Sequence, residues 1–179
     1  MTAFSLGPAL LFCPADRPER YAKAAERADA VILDLEDAVA TDAKDTARRA
    51  LIEGADALDP ARVIVRVNPI GTTDHELDLA AVAETPFRTL MLAKAESAEA
   101  IAELPHGYTV VALCETARGV VEAERIAAVD RVVALMWGAE DLVASLGGTS
   151  SRFPDGAYRD VARAARARLL LAAGAHDTA

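Results

Sequence analysis

Six apolar runs in this chain each end on a charged or polar residue that a buried strand would not choose. Residues 8–12, PALLF, run into Cys13-Pro14-Ala15-Asp16-Arg17, and AVIL runs into Asp34-Leu35-Glu36-Asp37. RVIV leads to Arg66-Val67-Asn68, TLML to Lys94, TVVAL to Glu115, and RVVALM to Gly138-Ala139-Glu140-Asp141. Buried charge is costly unless it is paired, hydrogen-bonded or metal-bound. Six such runs in series, each with its charge at the C-terminal end, describe a parallel sheet whose exit edge is a functional site.

The pattern between the runs supports that sheet. Strand candidates at 8–13, 30–36, 62–68, 88–93, 108–115 and 131–137 alternate with helix candidates at 18–28, 42–58, 74–84, 97–104, 117–129 and 156–173. Thr41 is the expected N-cap of the second helix. Regular alternation implies right-handed crossovers and parallel pairing. An open doubly wound sheet and a (β/α)8 barrel both fit. No strand is followed by a glycine-rich phosphate loop, and chemistry-bearing residues follow almost every strand, which favours a barrel mouth with about six of its eight units present. No composition shift divides residues 1–179, so a single TIM-barrel domain is expected.

Of the 179 residues, 53% are hydrophobic and only 4% aromatic, so the core must be built from Ala, Leu and Val. The formal charge of −9 argues against nucleic acid as a partner. No apolar run reaches the length of a membrane span, about 18 residues. Cys13 and Cys114 lack metal-type spacing and read as reduced thiols of a cytoplasmic protein. His75, His106 and His176 lie in loop or helix-end contexts, away from the expected strand exits, and Trp137 reads as core.

Glu115 and Asp141 close strands one β–α unit apart, and two acids converging at a dry strand end suit Mg²⁺. A helix cap or a surface ion pair is the alternative, above all for Asp141. Arg66, inside an apolar run and on the same side as Asn68, could grip a carboxylate or could pair with Asp34 or Glu36. Asp34 and Glu36 share a face and could hold metal waters or orient Arg66, while Asp37 begins the loop. Lys94 could form a Schiff base, as in a class I aldolase, or could balance the acids. Arg17, Arg20 and Lys23 could meet phosphates or could be a solvated helical turn. The backbone of Gly138 and Ala139 could cradle a carboxylate.

The segments LFCPADRPERYAKA, ADAVILDLEDAV, VIVRVNP, LAKAES, ALCETARGV and WGAEDL resemble, in order and across the whole chain, the citrate lyase beta-subunit-like family. That is the malyl-CoA/citramalyl-CoA lyase group of the HpcH/HpaI aldolase superfamily. The resemblance implies a TIM barrel and a Mg²⁺-dependent carbon–carbon lyase. It would cleave or form a β-hydroxyacyl thioester such as citramalyl-, malyl- or citryl-CoA, giving an acetyl thioester and a 2-oxo acid (oxaloacetate, pyruvate or glyoxylate). It implies that Arg66 binds the ligand carboxylate and that Glu115 and Asp141 hold the metal. Asp34, Glu36 and Asp37 would support the metal waters, and Arg17, Arg20 and Lys23 would lie toward CoA or an acyl-carrier thioester. It further implies a homo-oligomer, a trimer or hexamer. Family members are longer, and an acidic general base from their C-terminal segment has no counterpart in this chain. Thioester hydrolysis at the same site, or a truncated non-catalytic ligand-binding subunit, are the alternative functions.

Overall fold

The computed structural model describes residues 4–179 and divides into two compact units, Ser5–Leu92 and Ala93–Ala179. The first holds four parallel strands laid side by side in chain order: β1 (Leu10–Pro14), β2 (Ala30–Asp34), β3 (Val63–Val67) and β4 (Thr89–Leu92). Helices α1 (Tyr21–Arg27), α2 (Lys44–Glu53) and α3 (Thr73–Ala83) connect them. Every residue of β2 and β3 is buried, as expected of parallel strands covered on both faces. Ile32, Leu33, Ile64, Val65, Leu51 and Phe87 make up the core.

The second unit contains α4 (Ala98–Ala102), β5 (Thr109–Leu113), α5 (Ala117–Ala127), β6 (Val132–Met136), α6 (Ala139–Ser145) and α7 (Asp160–Ala175). β5 and β6 pair in parallel. Ala179 bonds to β6 through Leu135 N–H at 2.8 Å and Val133 C=O at 3.1 Å.

The α/β class, the six parallel strands and their alternation with helices are as the sequence indicates. Strand limits agree within about two residues, because each apolar run ends where a charge or turn residue begins. The helices differ more. Thr41 is not a cap: Ala40 is extended, Thr41–Ala43 form a 3-10 turn, and α2 starts only at Lys44. The expected 42–58 helix stops at Gly54 and continues as a second 3-10 turn, Ala55–Ala57. Helix α7 begins at Asp160 rather than 156, because the preceding loop folds on itself through an antiparallel bridge between Arg152 and Tyr158. α3, α4 and α5 are capped by the side chains of Thr72, Ser97 and Thr116.

Candidate active site

In the second unit, Glu115 lies just beyond β5 and is 1% exposed. Asp141 lies in the first turn of α6, whose N-cap is Gly138, so Asp141 is not the cap. The two carboxylates converge on Gly138. A Cβ added there would stand 2.7 Å from Glu115 Oε2 and 3.4 Å from Asp141 Oδ2. Lys94 N–H donates to Glu115 Oε1 at 3.2 Å. Lys94 holds φ at 49°, the left-handed region, which costs a non-glycine residue about 1–2 kcal/mol. That strain aims its N–H at a buried carboxylate. Gly119 is fixed by contact rather than conformation, since a Cβ would come within 2.4 Å of the Ala95 carbonyl.

Two oxygen-donor side chains around a glycine-sized gap fit a hard divalent ion such as Mg²⁺, which takes one or two carboxylates and keeps waters in its other positions. Among the described residues no group of three or more His, Cys, Asp and Glu side chains forms a larger cage.

In the first unit, register sets the arrangement. Asp34 of β2 pairs with Arg66 of β3, so their side chains leave neighbouring strands at one level. Asp34 accepts a two-bond fork from Arg66, Nε at 2.7 Å and Nη2 at 2.5 Å. Glu36 takes Arg66 Nη1 at 3.1 Å, and the guanidinium stacks 4.9 Å from the centroid of the Phe12 ring. The pairing with Asp34 and Glu36, one of two roles open to Arg66 from the sequence, is therefore made. Backbone donors set both acids: Glu36 N–H and Ala38 N–H bond Asp34, and Asp37 N–H bonds Glu36. Asp37 itself is exposed.

Sequence reading missed the layer beneath. Lys44 is buried and donates to Leu35 C=O at 2.8 Å, Glu36 C=O at 3.1 Å and Asn68 Oδ1 at 3.1 Å. Asn68 Nδ2 donates to Leu35 C=O and, at 2.7 Å, to Asp78, whose other oxygen takes Arg48 Nε at 2.8 Å. Burial opposes the charge on Arg48, but bonds to Asp74 and Asp78 more than offset it and raise its pKa. His75 is buried at the start of α3 with Nδ1 2.8 Å from the Asn68 carbonyl, so it stands beside the β3 exit rather than far from one. The apolar pattern gave no sign of this burial, because Lys44, Arg48 and Asp78 are charged residues on helices, where a charge is usually solvated.

The remaining residues are less gathered. Arg17 and Arg20 are exposed beside Asp16 and Glu19, each at 3.8 Å. Arg20 and Lys23, with Arg27, flank a groove of about 260 Å³ floored by Leu11, Phe12 and Cys13; Arg17 does not line it. Trp137 is half-buried and packs edge-on to Tyr158 at 5.4 Å, not in the core. Cys13 and Cys114 are free and buried. Burial pushes the Cys13 thiol up, against the pull of Arg20, and pushes Cys114 up to about 12. Among the described residues no helix is long and apolar enough to cross a membrane.

Sequence and fold both place the chain among known proteins. Residues 9–179 match the family pattern of HpcH/HpaI aldolase/citrate lyase. The chain is 58% identical over 175 residues to a citrate lyase subunit beta-like protein of Mycobacterium tuberculosis, covering 98% of this chain and 63% of that protein. A (3S)-malyl-CoA thioesterase of Cereibacter sphaeroides is 39% identical, over 93% of this chain and 59% of its own length. The chain therefore spans less than two thirds of these relatives. A solved M. tuberculosis citrate lyase beta subunit complexed with oxaloacetate and magnesium superposes with a TM-score of 0.93 at 59% identity, covering 96% of this chain and 76% of that one. A second M. tuberculosis structure, with magnesium, acetoacetate and coenzyme A, also reaches 0.93 over 96% of this chain and 63% of that one. This chain belongs to the HpcH/HpaI aldolase/citrate lyase family.

Proposed function

We propose that the chain carries the metal and oxo-acid machinery of a Mg²⁺-dependent carbon–carbon lyase. Its substrate class is a β-hydroxyacyl thioester such as citramalyl-, malyl- or citryl-CoA, split into an acetyl thioester and a 2-oxo acid. The observation that carries the reading is the convergence of Glu115 and Asp141 on Gly138, in a chain 59% identical to a protein solved with magnesium and oxaloacetate.

Glu115 and Asp141 would hold the ion, which when bound supplies Lewis acidity toward the oxo-acid oxygens. Lys94 N–H holds Glu115 Oε1, and Glu115 Oε2 lies beside Gly138. Arg66 would receive the oxo-acid carboxylate, its guanidinium already oriented by Asp34 and Glu36 and backed by Phe12. Gly138 and Ala139 would stand on the ligand side, and Arg17, Arg20 and Lys23 toward the thioester. In cleavage the substrate hydroxyl loses its proton, the bond to the thioester α-carbon breaks, and that carbon takes up a proton.

The (3S)-malyl-CoA thioesterase relative favours a second reading, in which water replaces the thiol at the thioester carbonyl. One assay separates the two. Incubation with malyl-, citramalyl- and citryl-CoA, with Mg²⁺ or EDTA, is read for released 2-oxo acid and for free thiol. Oxo acid without thiol marks the lyase, and thiol without oxo acid marks the hydrolase. No product from any thioester in Mg²⁺ would contradict both.

A further inference from the structure

We propose that Lys44 is a positioning residue for Arg66, setting both the orientation and the charge balance of the carboxylate-binding arginine. The proposal deepens the function above and rests on Arg66 as the oxo-acid clamp.

Lys44 is in a place that neither the helix dipole nor solvation favours. It is the first residue of α2, where the helix dipole disfavours a cation, and it is 9% exposed. Its ammonium meets three uncharged oxygens, two of them the successive carbonyls of Leu35 and Glu36. Those carbonyls belong to the two peptides that carry the Glu36 and Asp37 N–H groups. Planarity makes each N–H point opposite its carbonyl. With the carbonyls drawn toward Lys44, the Glu36 N–H meets Asp34 Oδ1 at 2.8 Å and the Asp37 N–H meets Glu36 Oε2 at 2.9 Å. Asp34 and Glu36 are the two carboxylates that hold Arg66. The ammonium, two rigid peptides and two acids thus form one line of contacts ending at the guanidinium.

Charge gives the second argument. The buried charged side chains of this unit, among the described residues, are three acids (Asp34, Glu36, Asp78) and three bases (Lys44, Arg48, Arg66). The set is balanced before any ligand arrives. Without Lys44 it carries a net negative charge, which would repel an incoming oxo-acid anion at low local dielectric. Loss of Lys44 removes one of two donors at each carbonyl, so the turn should loosen without unfolding. Leu35 C=O keeps Asn68 Nδ2 at 3.0 Å, and Glu36 C=O keeps Val39 N–H at 3.1 Å.

The test uses the full chain with Lys44→Met, and with Leu51→Ala as a control that destabilises the same helix from the core. Oxaloacetate affinity in Mg²⁺, Mg²⁺ affinity alone and melting temperature are measured on each, and hydrogen exchange at the Arg66 Nε–H is followed by NMR, with the resonance assigned from its loss in Arg66→Lys. Lys44→Met should weaken oxaloacetate by about tenfold and speed exchange at Arg66 Nε–H by a similar factor, with Mg²⁺ affinity held within about twofold and Leu51→Ala showing neither effect. If Lys44→Met does not fold, Lys44→Gln is read by the same criteria. Unchanged exchange at Arg66, or an equal change in Leu51→Ala, overturns the proposal. Failure of the wild type to bind oxaloacetate at all overturns the proposed function instead, and the exchange measurement still decides the role of Lys44.

Discussion

Gly138→Ala adds a single methyl group, and the structure says where it goes. Gly138 has φ −116° and ψ 118°, a conformation alanine adopts freely, so the backbone should tolerate the change and even gain about 0.4–1 kcal/mol from a stiffer unfolded chain. The new Cβ would lie 2.7 Å from Glu115 Oε2, about 0.7 Å inside the 3.4 Å at which ordinary contact begins. Glu115 cannot swing its far end alone, because its Cβ would be 3.2 Å away and the side chain is buried. It must leave its rotamer, which costs about 0.5–1.5 kcal/mol. Metal–ligand distances tolerate only about 0.2 Å of error, so a displaced Glu115 ceases to be a good ligand. We expect Mg²⁺ affinity by calorimetry to fall about 10–100-fold while the melting temperature changes little, the rotamer cost roughly offsetting the gain from the stiffer unfolded chain. A folded Gly138→Ala protein that binds Mg²⁺ like the wild type would refute the reasoning that Glu115 and Asp141 share an ion at this glycine.

Three further outcomes follow from other parts of the structure. Asp78→Ala strips Arg48 and the Asn68 amide of a fully buried acceptor and should cost about 3–5 kcal/mol in urea denaturation, where a loss under about 1 kcal/mol would contradict the network. Arg66→Lys keeps the charge but loses the fork to Asp34, so melting temperature and oxaloacetate affinity should fall together, the affinity by roughly 2 kcal/mol, with Mg²⁺ affinity nearly intact; an unchanged affinity would remove the clamp role. Cys13 and Cys114, buried with raised thiol pKa values, should resist a disulfide reagent near neutral pH and react fully once the protein is unfolded, and rapid labelling of the native protein would contradict their burial.

What could be read in the sequence was what period and punctuation encode. AVIL before Asp34 and TVVAL before Glu115 are short, β-branched apolar runs of strand length, and the charge after each run marks its exit. Asp34 and Arg66 could be paired on paper because each stands near the end of a neighbouring run. Their shared register could not, since it depends on how β2 and β3 slide against each other. Lys44 stayed hidden because a lysine at a helix start looks solvated, and only the packing of α2 over the Leu35–Glu36 turn buries it. The gap at Gly138 stayed hidden for a similar reason. The glycine was legible as backbone at the exit of an apolar run, but the two carboxylates closing on its missing side chain are a fact of side-chain geometry.

Oxo-acid binding should require an ion held by Glu115 and Asp141. Its most direct measurement is calorimetric titration of oxaloacetate into the protein in Mg²⁺, in EDTA, and in Mg²⁺ with Glu115→Gln. Clear binding is expected in Mg²⁺, with a loss of about tenfold or more in both other conditions. Equal affinity in Mg²⁺ and EDTA, or a Glu115→Gln protein that binds as well as the wild type, would contradict that requirement.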